Sequence, residues 1–182
     1  SIEGQLRRDP LRGKPVIVTE YDPSWPELFR REAELIYAVL EGVGIRIEHM
    51  GSTAVPGLQA KPVIDIMIGV SSIEQADSCV PFIEGTGYLY RPEHEDSMPE
   101  RRYFERSGSE IDYHVHMVVF GSRFWRDHIF FRNYLRENPE AVQQYAALKK
   151  ELSEKYRDNR EAYTNGKAEF IQGILRRQKD QL

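Results

Sequence analysis

Two sets of residues in this chain could carry chemistry. The first is a Gly-Ser turn followed by a distant carboxylate: His49-Met50-Gly51-Ser52, then Lys61-Pro62-Val63-Ile64-Asp65-Ile66. A Gly-Ser turn leaving a strand can point backbone N–H groups and a hydroxyl at phosphate oxygens, because glycine lets the backbone approach closely. Gly-Ser is also a common turn, so Gly51 and Ser52 alone do not separate a phosphate cradle from a plain loop. Asp65 interrupts an otherwise apolar run. An ionised carboxylate in a strand covered on both faces is costly unless it is paired or holds a cation. Asp65 therefore either opens onto a cleft or is neutralised by a nearby Arg or Lys, and both readings stay open.

The second set is Asp112-Tyr113-His114-Val115-His116. In a strand, period two puts Asp112, His114 and His116 on one face, where a carboxylate and two imidazoles can bind a divalent metal or act as acid and base. An ordinary strand with a polar outer face has the same pattern. A histidine-triad site would want a third His at position 118, where Val118 stands. Several cations could add anion contacts, each with an ordinary alternative. Lys61 could touch phosphate or be a surface charge. Arg102 could clamp an anion or pair across its hairpin. Tyr163 and Lys167, four apart on a helix, could stack on a base and hold a phosphate, or be a core Tyr with a snorkelling Lys. Arg132, Asn133 and Lys149 belong to the same helix-borne class.

The elements that must position these residues follow from periodicity. Ser24 and Glu27 form a capping-box pattern before an apolar stripe running to Leu40, and Gly42 and Gly44 stop that helix. Ile45 and Ile47 alternate with Arg46 and Glu48, predicting a strand with one buried face. Thr53 to Pro62 reads as a loop or a single turn of helix, and Val63 to Val70 as a central strand covered on both faces. Ser71 and Glu74 repeat the capping-box signal ahead of a helix closed by Gly85 and Gly87. Tyr88 to Tyr90 reads as a short strand. Two alternating runs around Ser107-Gly108-Ser109 predict a hairpin. From Ser122 onward the pattern is helical, with Asn138-Pro139 as a helix start. The expected organisation is a flexible arm over residues 1–15, a strand-rich core over 16–122 and C-terminal helices over 123–182 packed on it.

Composition narrows the function classes. With 40% hydrophobic and 30% charged residues over 182 positions, the chain is an ordinary globular one, long enough for a core without staples. Cys79 stands alone, which excludes an intrachain disulfide and a Cys-based zinc site. No apolar run approaches the roughly 18–20 residues of a spanning helix and no charged-then-apolar leader opens the chain, so a cytoplasmic location and no membrane partner are expected. Residues 1–122 hold 12 Lys and Arg against 20 Asp and Glu, whereas residues 123–182 hold 13 against 9. Basic helical surfaces are common for solubility; folded over a cleft, they could also attract an anion such as a nucleotide. Nucleic-acid binding through these helices is disfavoured by the acidity of the whole chain and by aromatics at core spacing.

Trp25-Pro26, the run His49 to Leu58, Ala60 to Ile66, Gly87-Tyr88, His114-Val115-His116, Phe131 to Leu135, and Tyr163 with Lys167 together resemble the GrpB family, over about Val16 to Ile174. The block from Gly51-Ser52-Thr53 to Asp65-Ile66 is its most specific part. The resemblance implies membership of the nucleotidyltransferase superfamily and an α+β fold: a nucleotidyltransferase-like mixed β-sheet flanked by helices, with a C-terminal helical extension. It also brings a domain found in some chains fused to dephospho-coenzyme A kinase. In the superfamily pattern the Gly-Ser turn holds a triphosphate, two carboxylates one residue apart hold Mg²⁺, and a third lies on a later strand. Gly51, Ser52 and Asp65 match; the partner carboxylate is replaced by Met67, which weakens a two-metal clamp.

The resemblance thus implies a protein that binds a nucleotide or related phosphorylated ligand and transfers a nucleotidyl group with a divalent metal, Mg or Mn. Asp65, Asp112, His114 and His116 would be catalytic, with Asp65, His114 and His116 on the metal. His49, Gly51, Ser52, Lys61, Arg102, Arg132, Tyr163 and Lys167 would bind the ligand. The alternative is a catalytically inactive module for nucleotides or coenzyme A precursors.

Overall fold

The computed structural model describes residues 17–181, so the arm expected over 1–15 lies outside the described residues. Helix α1, Trp25–Val39, starts differently from its sequence signal. Ser24 makes no side-chain cap. Instead the Asp22 carboxylate accepts from the Ser24 N–H at 2.8 Å, the donor that Glu27 would have served, and the Asp22 carbonyl accepts from the Trp25 N–H, an Asx turn. Glu27, the expected box partner, pairs with Arg30 and Arg31 on the exposed face. Gly42 and Gly44 follow with positive φ.

Strand β1, Arg46–Met50, runs antiparallel to β2, Val63–Val70. The link between them contains a single 3-10 turn, Ser52–Ala54. Helix α2, Ile73–Glu84, is capped one residue later than expected: the Ser72 hydroxyl accepts from the Gln75 N–H, and the Gln75 side chain accepts from the Ser71 N–H. Gln75 fills the role assigned to Glu74. Strand β3, Leu89–Tyr90, leads to the hairpin of β4, Arg102–Ser107, and β5, Asp112–Val119. The strand order is β1-β2-β5-β4-β3, with β2 and β5 parallel and every other pair antiparallel.

Pleating divides the sheet into two faces. Ile64, Ile66, Ile68 and Val70 of β2 join Tyr113, Val115 and Met117 of β5 and Phe104 of β4 in a core covered by α1 and α2. The opposite parity, Asp65 and Met67 of β2 with His114, His116 and Val118 of β5, faces the C-terminal helices. These are α3, Arg123–Glu137; α4, Pro139–Lys155; α5, Arg160–Gly166; and α6, Ala168–Leu175. The Ser122 hydroxyl caps α3 and the Asn159 side chain caps α5. Two contacts seat these helices. A Cβ on Gly69 would lie 2.8 Å from the Trp125 ring, so glycine lets α3 sit directly on β2. Val55 and Leu58, in the link after β1, pack into one cluster with Leu135, Ala141, Tyr145 and Ile174. No helix of the described residues is long and apolar enough to cross a membrane.

Candidate functional site

Between the polar parity of the sheet and the C-terminal helices lies a cavity of about 510 Å³. The parallel register places Asp65 abreast of His114 and Met67 abreast of His116. Asp65 Oδ1 is 3.0 Å from His116 Nε2 and 3.6 Å from His114 Nδ1. One ligand atom from each of Asp65, His114 and His116 falls within 4.8 Å of the others. A quarter of the Asp65 side chain stays open to the cavity. Burial opposes its charge, but the hydrogen bond from His116, the two imidazoles and Lys61 outweigh it and hold the carboxyl well below the usual range. Burial pushes both imidazoles down, His114 to about 3, against the pull of Asp65. His114 Nε2 is buried without a hydrogen-bond partner. A carboxylate oxygen beside two imidazoles suits a divalent cation of the Mg or Mn kind.

The Gly-Ser turn forms the rim. Gly51 has φ +76°, and a Cβ there would lie 2.6 Å from Asp65 Oδ2, so only glycine lets the turn pass the carboxylate. The 3-10 turn starts at Ser52, and its first N–H groups have no partner within the turn. Tyr145 is buried, which pushes its hydroxyl up to about 12; a hydrogen bond with Ser52 pulls the other way.

The far wall is cationic. Lys61 and Lys167 place their ammonium groups 5.0 and 4.9 Å from the Tyr163 ring centroid. Lys149, 1% exposed, gives a hydrogen bond of 2.7 Å to the Gln59 carbonyl. Among the described residues, no carboxylate forms an ion pair with any of the three. Burial, aided by Lys167 and Arg160, pushes Lys61 down to about 7. Burial and the neighbouring lysines carry Lys149 well below its ordinary value. Charges kept this far from water without a counter-ion are costly.

Other expected residues stand elsewhere. His49 has the parity of Ile47, not of Met50, and so faces α1. It stacks on Phe29 and bonds through Nε2 to the Thr53 hydroxyl, which in turn donates to the Val63 carbonyl. Since that hydroxyl has given its proton away, His49 must be the donor. Arg102 shares parity with Phe104; it pairs with Asp77 and Glu95, not across the hairpin. Arg132 ties α3 to β1 by donating to the Glu48 carboxylate at 2.6 Å and the His49 carbonyl at 2.9 Å. Asp112 accepts from the Gly108 N–H and lines a smaller cavity of about 280 Å³ beside Lys61 and Arg160. Tyr163 lines the main cavity, but with 0% exposure and ammonium groups near its ring it supports the lysines and does not offer a face to a base.

The model of the GrpB protein family matches residues 15–177. The chain belongs to the GrpB family. Among GrpB relatives, the UPF0157 protein YqkA of Bacillus subtilis is 37% identical over 158 residues, 87% of this chain and 46% of YqkA, so the chain spans about half the length of that relative. The crystal structure of the conserved protein GrpB from Enterococcus faecalis superposes with a TM-score of 0.78 at 39% identity, covering 88% of this chain and 96% of that one. A structure of the Cid1 poly(U) polymerase with Mg and 3′-dATP bound superposes with a TM-score of 0.54 at 12% identity, covering 82% of this chain and 49% of Cid1. That likeness shows the fold: this GrpB chain has the nucleotidyltransferase-like mixed sheet flanked by helices.

Sequence reasoning missed several cavity neighbours, among them Asp127 and His128 in the lining and Arg101 beside it. Arg101 places a guanidinium nitrogen 3.2 Å from His116 Nδ1. It shares parity with Tyr103 and the histidine face, a signal available from the hairpin register. His128 lines the cavity with Nδ1 bonded to the Phe124 carbonyl. It stands in an aromatic-rich helix whose spacing gives no such hint.

Proposed function

We propose that this GrpB chain binds a nucleotide or related phosphorylated ligand together with a divalent cation in the cavity between sheet and C-terminal helices, and transfers a nucleotidyl group from it. The observation that carries the reading is the set of three ammonium groups, Lys61, Lys149 and Lys167, which face one cavity with no carboxylate paired to them among the described residues. An anion with several charged oxygens satisfies them together. Gly51 and Ser52 line the same cavity and would meet the ligand from the sheet side. Asp65 and His114, with His116 beside them, would hold the cation, which when bound would neutralise phosphate charge and polarise a phosphoryl oxygen. In the transfer, an acceptor oxygen forms a bond to the α-phosphorus, the bond to the bridging oxygen breaks, and pyrophosphate leaves toward the lysines while the acceptor proton passes to a base.

Purified protein incubated with labelled nucleoside triphosphates, Mg²⁺ or Mn²⁺ and candidate acceptors is expected to release pyrophosphate, and Asp65→Ala to lose that release. No release above the Asp65→Ala background with any combination sinks the transfer. A second reading, a binding module without turnover, is favoured by one observation. Met67, standing where a second carboxylate would be, is fully buried against Met50, Val118 and Trp125. That module would be stabilised thermally by nucleotide whether or not a chelator is present.

A further inference from the structure

The partner of each imidazole nitrogen dictates where its proton sits. Arg101 lies just before β4, with its guanidinium 4.7 Å from the Tyr103 ring centroid and 6.0 Å from that of Phe124. Its Nε is buried with no hydrogen-bond partner, and its NH1 lies 3.2 Å from His116 Nδ1. A guanidinium offers only donors, so His116 Nδ1 accepts. A neutral ring then carries its hydrogen on Nε2, the nitrogen 3.0 Å from Asp65 Oδ1, and donates it to that carboxylate. A histidine on a metal presents the reverse: a lone pair toward the ion, so that the other nitrogen carries the hydrogen and cannot face a pure donor. His128 shows that reverse arrangement, since its Nδ1 is 2.8 Å from a carbonyl that can only accept.

We infer that Arg101 is a positioning residue that withholds His116 from a divalent cation. In the ligand-free protein a cation meets only Asp65 and His114. The other ligands must come from oxygens of the phosphorylated compound, so cation and phosphate enter as a pair, each raising the other's affinity. This coupling rests on the nucleotide-and-cation reading above; the position of the His116 proton does not.

Two measurements test it. In metal-free wild-type protein, long-range ¹H–¹⁵N NMR, assigned with His116→Gln, is expected to find the His116 hydrogen on Nε2; a hydrogen on Nδ1 overturns the inference and needs no variant of Arg101. Second, free Mn²⁺ is followed by EPR without nucleotide. Arg101→Gln supplies a carbonyl that can accept an Nδ1–H, and it is expected to raise Mn²⁺ affinity about tenfold, the low end of the range over which outer partners tune metal sites. Arg101→Lys, still a pure donor, stays near wild type, and adding His116→Ala removes the gain. No gain, or a gain that survives His116→Ala and so reflects charge alone, overturns the inference. Should Mn²⁺ fail to bind even with nucleotide and in Arg101→Gln, the cation reading itself falls, a result distinct from either of these.

Discussion

The two faces of the sheet handle buried polar groups in opposite ways. On the face under α1 and α2, each such group has a partner: Glu32 accepts from the Tyr88 hydroxyl at 2.9 Å and from Arg106, and His49 is held between Phe29 and Thr53. On the face under α3 to α6, three lysine ammonium groups and a histidine nitrogen lack carboxylate or hydrogen-bond partners among the described residues, apart from the carbonyl that Lys149 meets. The first arrangement is complete in itself. The second is complete only with something added, and that contrast, more than any one residue, marks the cavity as a place for a ligand.

The largest effect that should separate the faces comes from Gly51→Ala. Its methyl meets Asp65 and its φ is unfavourable, so a loss of about 3–4 kcal/mol of stability and of nucleotide-induced thermal stabilisation is expected. Gly42→Ala, with positive φ but open space around it, should lose only about 1–2 kcal/mol and keep the ligand response. Next, Glu32→Ala on the closed face is expected to cost about 2–3 kcal/mol in urea denaturation while leaving ligand affinity in place. If ligand affinity fell as well, the two faces would not be independent.

Lys149→Met should move in the opposite direction. Removing a buried ammonium is expected to stabilise the ligand-free protein by about 1 kcal/mol, read as a higher urea midpoint, while weakening nucleotide binding. The smallest effects are those of pH. His49 is pushed down to about 4 by burial, below its ordinary 6.5, so the folded protein binds fewer protons than the unfolded chain in this window. The stability it contributes is present above pH 6.5 and is lost as the pH falls toward 4, which urea midpoints across that range will check. Lys61, at about 7 in the free protein, works on the alkaline side. A bound phosphate raises its pKa, so binding takes up a proton and affinity declines as the pH rises above 7, measurable by calorimetry in buffers of different ionisation heat.

Much of this was legible from period alone. Asp65 in the oiliest strand, the shared face of His114 and His116, the Gly-Ser turn and the hairpin all stand where the sequence put them. Parity also explains two misplacements. Ile45, Ile47 and His49 alternate together, so His49 belongs to the apolar face, and Arg102 follows Phe104 in the same way. Both could have been excluded from the cavity by continuing the alternation already used to find the strands. The helix caps slipped for another reason: Asp22 and Gln75 can serve the same N–H groups as Glu27 and Glu74, and local chemistry does not rank them. Lys61, Lys149 and Lys167 were already candidates by type, but that all three meet in one cavity required knowing which segments come together.

The turn at Gly108 has reach beyond its own size. A methyl there would strike the Ile111 carbonyl at 2.2 Å, and Asp112 fastens the same bend. Together they fix how far β5 is advanced along its antiparallel neighbour β4. A shift of one step would bring Tyr113, Val115 and Met117 around in place of both histidines, so the contents of the cavity are chosen by a bend that contributes no side chain to them.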